Sequence, residues 1–391
     1  MRIKEESKYK LVNVVRYLGD ALLYPFLPLY FSYLNKTESE IGMLMMIIPL
    51  LGALLNPLWS IFSKNVNYNR TYLKILAIFE ALVIIYLLIF IDMPFLILGT
   101  VVLGIVGQPF YSLFDGYTTV YTMMENKNYA PIRLYGSLSF ALAALIAGFL
   151  LDKTSFTFLF GAAALMYLFV SIAVSWVKPL DLSHLSNISS KANPKELLKN
   201  KHYLKFTAFF IISMGLLFGG DSFLGIFFEY LNHSPDIYGL VVFVQVILEA
   251  IILFLLAKWK YKNKMRIIMI SIVLSNFARY VIFSFYPPLY LLVFAATLRA
   301  IAMGSILYVS VEYLKLKVSS KNITLGIIIY NSLKNIFQAG YTLWGGYFIE
   351  NVSYQKFYII SAFVSLIALI FIDYKQTHDI IKKDVIMWMQ D

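Results

Sequence analysis

The chain has no cysteine in 391 residues. That absence excludes disulfides, thiolate metal sites and cysteine nucleophiles together. Charge is scarce as well: Asp, Glu, Lys and Arg supply 14% of the residues, where soluble domains carry about 25%. Only four histidines occur, His184, His202, His233 and His378, and each falls in a polar segment between or after the apolar runs. Neither a histidine relay nor an intramembrane metal site therefore has ligands to draw on. Phosphate-binding loops, nucleophile elbows, zinc signatures and heptad repeats are missing too. The expectation is a protein that is not an enzyme and holds no cofactor or metal.

What fills the chain instead is apolar: 60% of its residues are hydrophobic, with a mean hydropathy of +0.73. A membrane span needs roughly 20 such residues. About twelve runs qualify, at 11–34, 41–63, 71–91, 95–121, 130–151, 156–177, 204–230, 236–257, 265–286, 289–314, 323–348 and 354–374. They lack the alternation of barrel strands and are too long for them, so an all-α integral membrane protein is expected. The start, MRIKEESKYK, mixes both signs of charge, and the first run contains Arg16 and Asp20. It makes a poor secretory signal, and the first span is expected to be retained.

A net charge of +11 is compatible with nucleic-acid binding, but Lys and Arg cluster in alternate loops. They gather in the N-terminus, at Lys64 to Lys74, at Lys127, at Lys178 to Lys205, at Lys258 to Arg266, at Lys315 to Lys321 and in the tail, while the intervening loops hold Lys36, Lys153 and Lys356. By the positive-inside rule both termini are expected in the cytoplasm, which requires an even number of spans. The charge describes topology in a cell membrane, expected to be a bacterial inner membrane, with the lipid bilayer as partner and no nucleic acid.

The longest polar stretch, Asp181 to Lys205, divides the chain near its middle. The two sides resemble each other. Phe31-Ser-Tyr33-Leu34-Asn35, followed by Gly42, matches Phe228-Glu-Tyr230-Leu231-Asn232, followed by Gly239, at a shift of 197. Ala147-Gly148-Phe-Leu-Leu-Asp152 matches Gly345-Gly346-Tyr-Phe-Ile-Glu350 at a shift of 198. Two six-helix bundles are expected, at 1–178 and 204–391, joined by a loop at 179–203. Two parallel halves around a central cavity are the architecture of major facilitator carriers.

Eight ionisable residues inside the apolar runs stand out: Asp20, Asp115, Arg133, Asp221, Glu249, Arg279, Arg299 and Lys334. Each costs roughly 2.5–3.5 kcal/mol at membrane depth, so such residues need partners or a watery cavity. Four acids and four bases describe a polar pathway for solutes. Asp115 and Arg133 together suit sugar or ribose hydroxyls. Asp20 lies one turn from Arg16, so it forms either an intrahelical pair or a cavity acid open to protonation. Glu249 must meet Arg279, Arg299 or Lys334 on a neighbouring helix, or be protonated. Glu80 is expected to be structural, on a peripheral helix, and Glu312 likewise. Among the aromatic residues, Tyr24, Tyr135 and Trp344 are candidates for stacking on a solute.

Several segments resemble the lactose permease group of the major facilitator superfamily, the oligosaccharide and nucleoside proton symporters. The first span ends Tyr24-Pro25-Phe26-Leu27-Pro28-Leu29-Tyr30, and the second contains Asn56-Pro57-Leu58-Trp59. The most specific piece is Arg133-Leu-Tyr-Gly136-Ser-Leu-Ser-Phe140, with Asp115 eighteen residues earlier. Asp221, Arg279 and Lys334 fall on charged family positions in helices 7, 9 and 11. The resemblance covers most of helices 1–5 and 7–11. It also has departures. Arg299 stands where the family has a coupling histidine, Ala302 where it has an acid, and Ala296 at a lysine of the lactose permease. Ser63 to Arg70 lacks the Gly and Asp of the superfamily's gating motif.

The resemblance implies alternating access by a secondary transporter, importing a small polar organic solute with protons. A sugar or nucleoside comes first and an organic acid second, in a protein expected to be monomeric. Asp20, Tyr24, Asp115, Arg133, Tyr135 and Trp344 would meet solute. Asp221, Glu249, Arg279, Arg299 and Lys334 would couple the ion and gate. An exporter or an uncoupled facilitator of the same fold remains open, as, more remotely, does a membrane-embedded enzyme or a solute sensor.

Overall fold

The computed structural model describes residues 4–62, 66–127, 129–180, 193–259, 264–319 and 322–372. His184, His378, Lys64 and residues 181–192 of the central loop lie outside these residues. So does the tail from 373 onwards.

All regular structure among the described residues is helical. The first half comprises α1 (Glu5–Leu23), α2 (Leu27–Tyr33), α3 (Glu38–Phe62), α4 (Val66–Ile89), α5 (Met93–Met124), α6 (Tyr129–Lys153) and α7 (Phe156–Trp176). A short α8 (Pro194–Lys199) precedes the second half. That half holds α9 (Lys201–Asp221), α10 (Leu224–Tyr230), α11 (Pro235–Trp259), α12 (Met265–Phe283), α13 (Leu289–Lys317), α14 (Ile323–Asn351) and α15 (Tyr354–Leu366), which ends in a 3₁₀ turn. Among the described residues ten helices are long and apolar enough to cross a membrane. The long helices that fall short are α1 and α14, which carry Arg16, Asp20, Lys334 and Asn335 among their inward groups.

The expected first and seventh spans, 11–34 and 204–230, are each broken in two. Pro25 lacks an N–H and Pro28 follows two residues into α2, so the first helix stops at Leu23 and restarts. In the second half the break falls at Ser222 and Phe223, after Gly219 and Gly220. Phe26 (φ −97°, ψ −4°) and Phe223 (φ −103°, ψ −2°) have nearly the same backbone conformation.

The repeat seen in sequence continues into the turns after α2 and α10. Asn35 and Asn232 take left-handed φ values of 56° and 59°. Around them, the Lys36 N–H donates to the Phe31 carbonyl at 3.1 Å and that of His233 to Phe228 at 2.9 Å. These are the helix-ending bonds of a Schellman motif, where asparagine tolerates the left-handed residue.

The halves meet along α3 with α14 and α6 with α11, and more briefly through α2 and α10. The repeat's glycines sit at these crossings. A Cβ on Gly42 would lie 3.0 Å from the Gly346 Cα, and one on Gly148 would lie 2.9 Å from the Gly239 Cα. Small residues let backbones approach this closely in lipid, where no hydrophobic drive exists between helices. Both crossings lie near the face opposite the N-terminus. There Ser32 donates to Glu229 at 2.8 Å and the Ser39 N–H to Glu350 at 2.9 Å, both between halves. Towards the N-terminal, basic face, neither α5 nor α13 shares substantial contact with the other half. The glycine crossings and these hydrogen bonds thus draw the halves together at the face opposite the N-terminus.

Candidate functional site: a charged cavity between two broken helices

Both helix breaks open onto one cavity of about 220 Å³. Tyr24, Pro25 and Pro28 line it from the first break, and Asp221, Ser222 and Leu224 from the second. Phe218, Phe140, Tyr238 and Arg299 also line it, beside Met45 and a stretch of α11. Tyr238, on α11, donates to the Pro25 carbonyl at 3.3 Å and packs edge-on against Phe26 at 5.6 Å. One half's helix break is therefore read directly by a residue of the other.

On the second half's side, Asp221 at the end of α9 is the hub. One carboxylate oxygen accepts from Arg279 Nη2, and the other from Arg299 Nε at 2.6 Å. Arg299 also reaches Glu249 Oε2 with Nη1 at 3.5 Å, a looser contact. Four elements, α9, α11, α12 and α13, are tied through these four side chains. Asp221 and Glu249 share Arg299, whereas Arg279 meets Asp221 alone, and Lys334 joins neither acid. Its Nζ donates to Gln338 Oε1 at 3.0 Å and lies 4.6 Å from the Phe218 ring centroid.

The first half holds a second network, fully enclosed. Arg16 donates through both terminal nitrogens to the Glu80 carboxylate, with Nη2 to Oε1 at 2.9 Å. Its Nε is 3.2 Å from Asp20 Oδ1. Asp20 accepts further from Tyr167 at 2.7 Å and Tyr111 at 2.6 Å. Phe110, Tyr111 and Tyr167 surround the guanidinium at 4.4–4.9 Å. Arg16, Asp20 and Glu80 are all at most 1% exposed. Arg16 thus pairs with Asp20 and does not snorkel. Glu80, expected to be peripheral, points inward and forms the tighter half of the pair. Tyr24 links this network to the cavity: its ring is in the cavity wall, and its hydroxyl and Glu80 Oε1 both crowd Gly107.

Asp115 and Arg133 come together only loosely, at 4.0 Å. Tyr129 donates to Asp115 Oδ1 at 2.6 Å, and the Arg133 guanidinium stacks 4.7 Å over Tyr17. The two side chains are 40% and 38% exposed, so the pair is open to a ligand. Arg133 also lies within electrostatic range of Glu249 across the halves. Two aromatic candidates lie elsewhere. Tyr135 is exposed beneath Lys10, whose Nζ is 5.0 Å from its ring. Trp344 packs on Phe348 and on Phe357 of α15, at 4.9 and 5.8 Å. Glu312 pairs with Lys315 at 3.0 Å on the surface.

Of the gating segment, Arg70 is described. It donates to the final carbonyls of α7, Val174 at 3.2 Å and Ser175, so its charge caps that helix end.

Paired six-helix halves, each opening with a broken helix that faces the same cavity, define a major facilitator transporter rather than an enzyme. The chain belongs to the MFS_1 like family, whose model matches residues 8–360. It is 24% identical over 359 residues to the uncharacterized transporter YwbF of Bacillus subtilis, covering 90% of this chain and 88% of that one. A maltose permease of Geobacillus stearothermophilus is 22% identical over 354 residues, 89% of each chain. Among solved structures, the nucleoside transporter NupG aligns with a TM-score of 0.77 at 14% identity, over 95% of this chain and all (100%) of that one. At that identity the likeness shows the fold.

Proposed function

We propose that the protein imports a small, hydroxyl-rich organic solute, a sugar or nucleoside type of molecule, together with protons. It works by alternating access as a monomer in a bacterial inner membrane, with both termini in the cytoplasm. The observation that carries this reading is the pair of helix breaks meeting at one cavity beside Asp221, Arg299 and Glu249. Broken helices in corresponding positions of two repeats mark the solute and ion sites of such carriers. The names of the maltose permease and of NupG support the solute class.

The halves rock about this cavity. The conformation described here is closed at the glycine crossings and open towards the basic face, the side of solute release. Asp115 and Arg133, parted and accessible, are placed to exchange their weak mutual contact for solute hydroxyls. Asp20, locked by Arg16 and two tyrosines, and Tyr24 shape the first half's wall. In the second half Asp221 keeps its two arginines, while Glu249 is the acid held least tightly. A proton on Glu249 removes one of the two negative charges facing Arg299 and loosens α11 from α13. That makes Glu249 the group through which protonation changes how the halves are braced.

The test is Glu249→Gln in reconstituted vesicles. This near-isosteric change fixes the neutral state. Exchange of solute across the membrane should persist, while accumulation driven by a pH gradient should fall to the level seen without a gradient. Full pH-dependent accumulation in this variant would remove Glu249 from the coupling role.

A further inference from the structure

The charged residues in and around the cavity offer more cationic donors than the neighbouring acids occupy. Both Asp221 oxygens are taken by arginines, and one Asp115 oxygen by Tyr129. Arg133 Nη1 and the Nε and Nη1 of Arg279 are buried without a hydrogen-bond partner. Lys334 goes further. Among the described residues no acid lies within 4.0 Å of its Nζ, whose contacts are a glutamine oxygen and a ring face. A glutamine oxygen and a phenylalanine ring can solvate an ammonium ion but cannot neutralise it.

The position of that charge matters. Phe218, against which Lys334 lies, is part of the cavity wall, and the Arg299 guanidinium is 6.0 Å from the same ring. Lys334 and Arg299 therefore both lie against one aromatic ring of the cavity wall, Arg299 lining the cavity itself and Lys334 next to it. Arg299 is already neutralised by Asp221 and Glu249, and Lys334 is not. An unpaired cation inside a membrane protein marks the place where a ligand or ion supplies the missing charge.

We propose that the solute carries an oxyanion, a carboxylate or phosphate on its hydroxylated frame, and that Lys334 is the residue that neutralises it. This rests on the transport reading and narrows it. The hydroxyls meet Asp115 and Arg133 of one half while the oxyanion meets Lys334 of the other, so the solute itself joins the halves. A neutral sugar satisfies the first contact and leaves the second unmade. Binding of the acidic form then requires no proton on the solute, and Glu249 stays available for coupling.

Matched solutes separate the possibilities: glucose, glucuronate and glucose 6-phosphate, and a nucleoside beside its monophosphate. Each is added to the purified full-length protein in detergent, and the dissociation constant is read from the shift of its thermal unfolding. The acidic members should stabilise the wild type at concentrations where the neutral ones do nothing; which acid does so distinguishes carboxylate from phosphate. Lys334→Gln should weaken the acidic ligand about tenfold or more, a difference of about 1.4 kcal/mol. Lys334→Arg, which keeps the charge, should retain most of the affinity and shows that position 334 tolerates change. Equal affinity in Lys334→Gln, or stabilisation by neutral members alone, overturns the inference. Neutral-only binding leaves the transport reading standing. Stabilisation by none of them overturns the inference as well, and the transport reading is then judged separately by proton movement in vesicles.

Discussion

Arg16→Met will destabilise the protein by roughly 3–5 kcal/mol, the usual cost of stranding buried charges by removing their partner. Two carboxylates, Asp20 and Glu80, converge on this guanidinium where none of the three is more than 1% exposed. Methionine has a similar length and fills much of the space, so the loss is chiefly electrostatic. Asp20 would keep its bonds from Tyr111 and Tyr167, whereas Glu80 would keep no donor of comparable strength. The double variant Arg16→Met with Glu80→Gln should therefore recover much of the stability, because it removes the stranded charge along with its partner. Thermal unfolding in detergent measures both. If the single variant melts with the wild type, the network does not hold the first half together in the way described.

Asp221→Asn will abolish transport more completely than any other single neutralisation in the cavity. Asp221 is the shared anion for Arg279 and Arg299, and asparagine leaves those cations with Glu249, 3.5 Å from Arg299, as their nearest acid. A loss of about 3 kcal/mol at such a site is on the order of a hundredfold in binding or rate. Because the defect is an excess of positive charge, Asp221→Asn combined with Arg299→Gln should regain part of the uptake. Initial uptake rates in vesicles, normalised to reconstituted protein, decide it. Near-wild-type uptake in the single variant would show that the hub is a structural brace with no part in the transport cycle.

The sequence shows its spans clearly because lipid demands long apolar runs, and its repeat because two glycines and an asparagine are constrained at equivalent places. Asn35 and Asn232 share a left-handed turn, and Gly42 and Gly148 face the repeat partners of each other's positions, Gly346 and Gly239. Other features depend on neighbours distant in sequence. Glu80 is 64 residues from Arg16, and nothing in the apolar helix around it tells which way it points. The break at Ser222 has no proline to announce it; the signal was its register with Pro25 in the other half. Trp344 and Tyr135 have the right chemistry for stacking on a solute, but helix orientation turns them towards α15 and Lys10. The charged cluster around Asp221 was legible as a set. Its pairing was not, because which of three cations meets which acid is decided by side-chain reach across α9, α12, α13 and α14.

The measurement closest to the central claim is proton movement in vesicles of the reconstituted protein, followed with a pH-sensitive dye. Pools of sugars, nucleosides and hydroxylated organic acids would be added in turn. Solute-driven alkalinisation of the outer medium with one pool, lost in Asp221→Asn, is the result this account predicts. Transport of a solute from any pool with no accompanying proton movement would contradict it, and would make the protein an uncoupled carrier of the same fold.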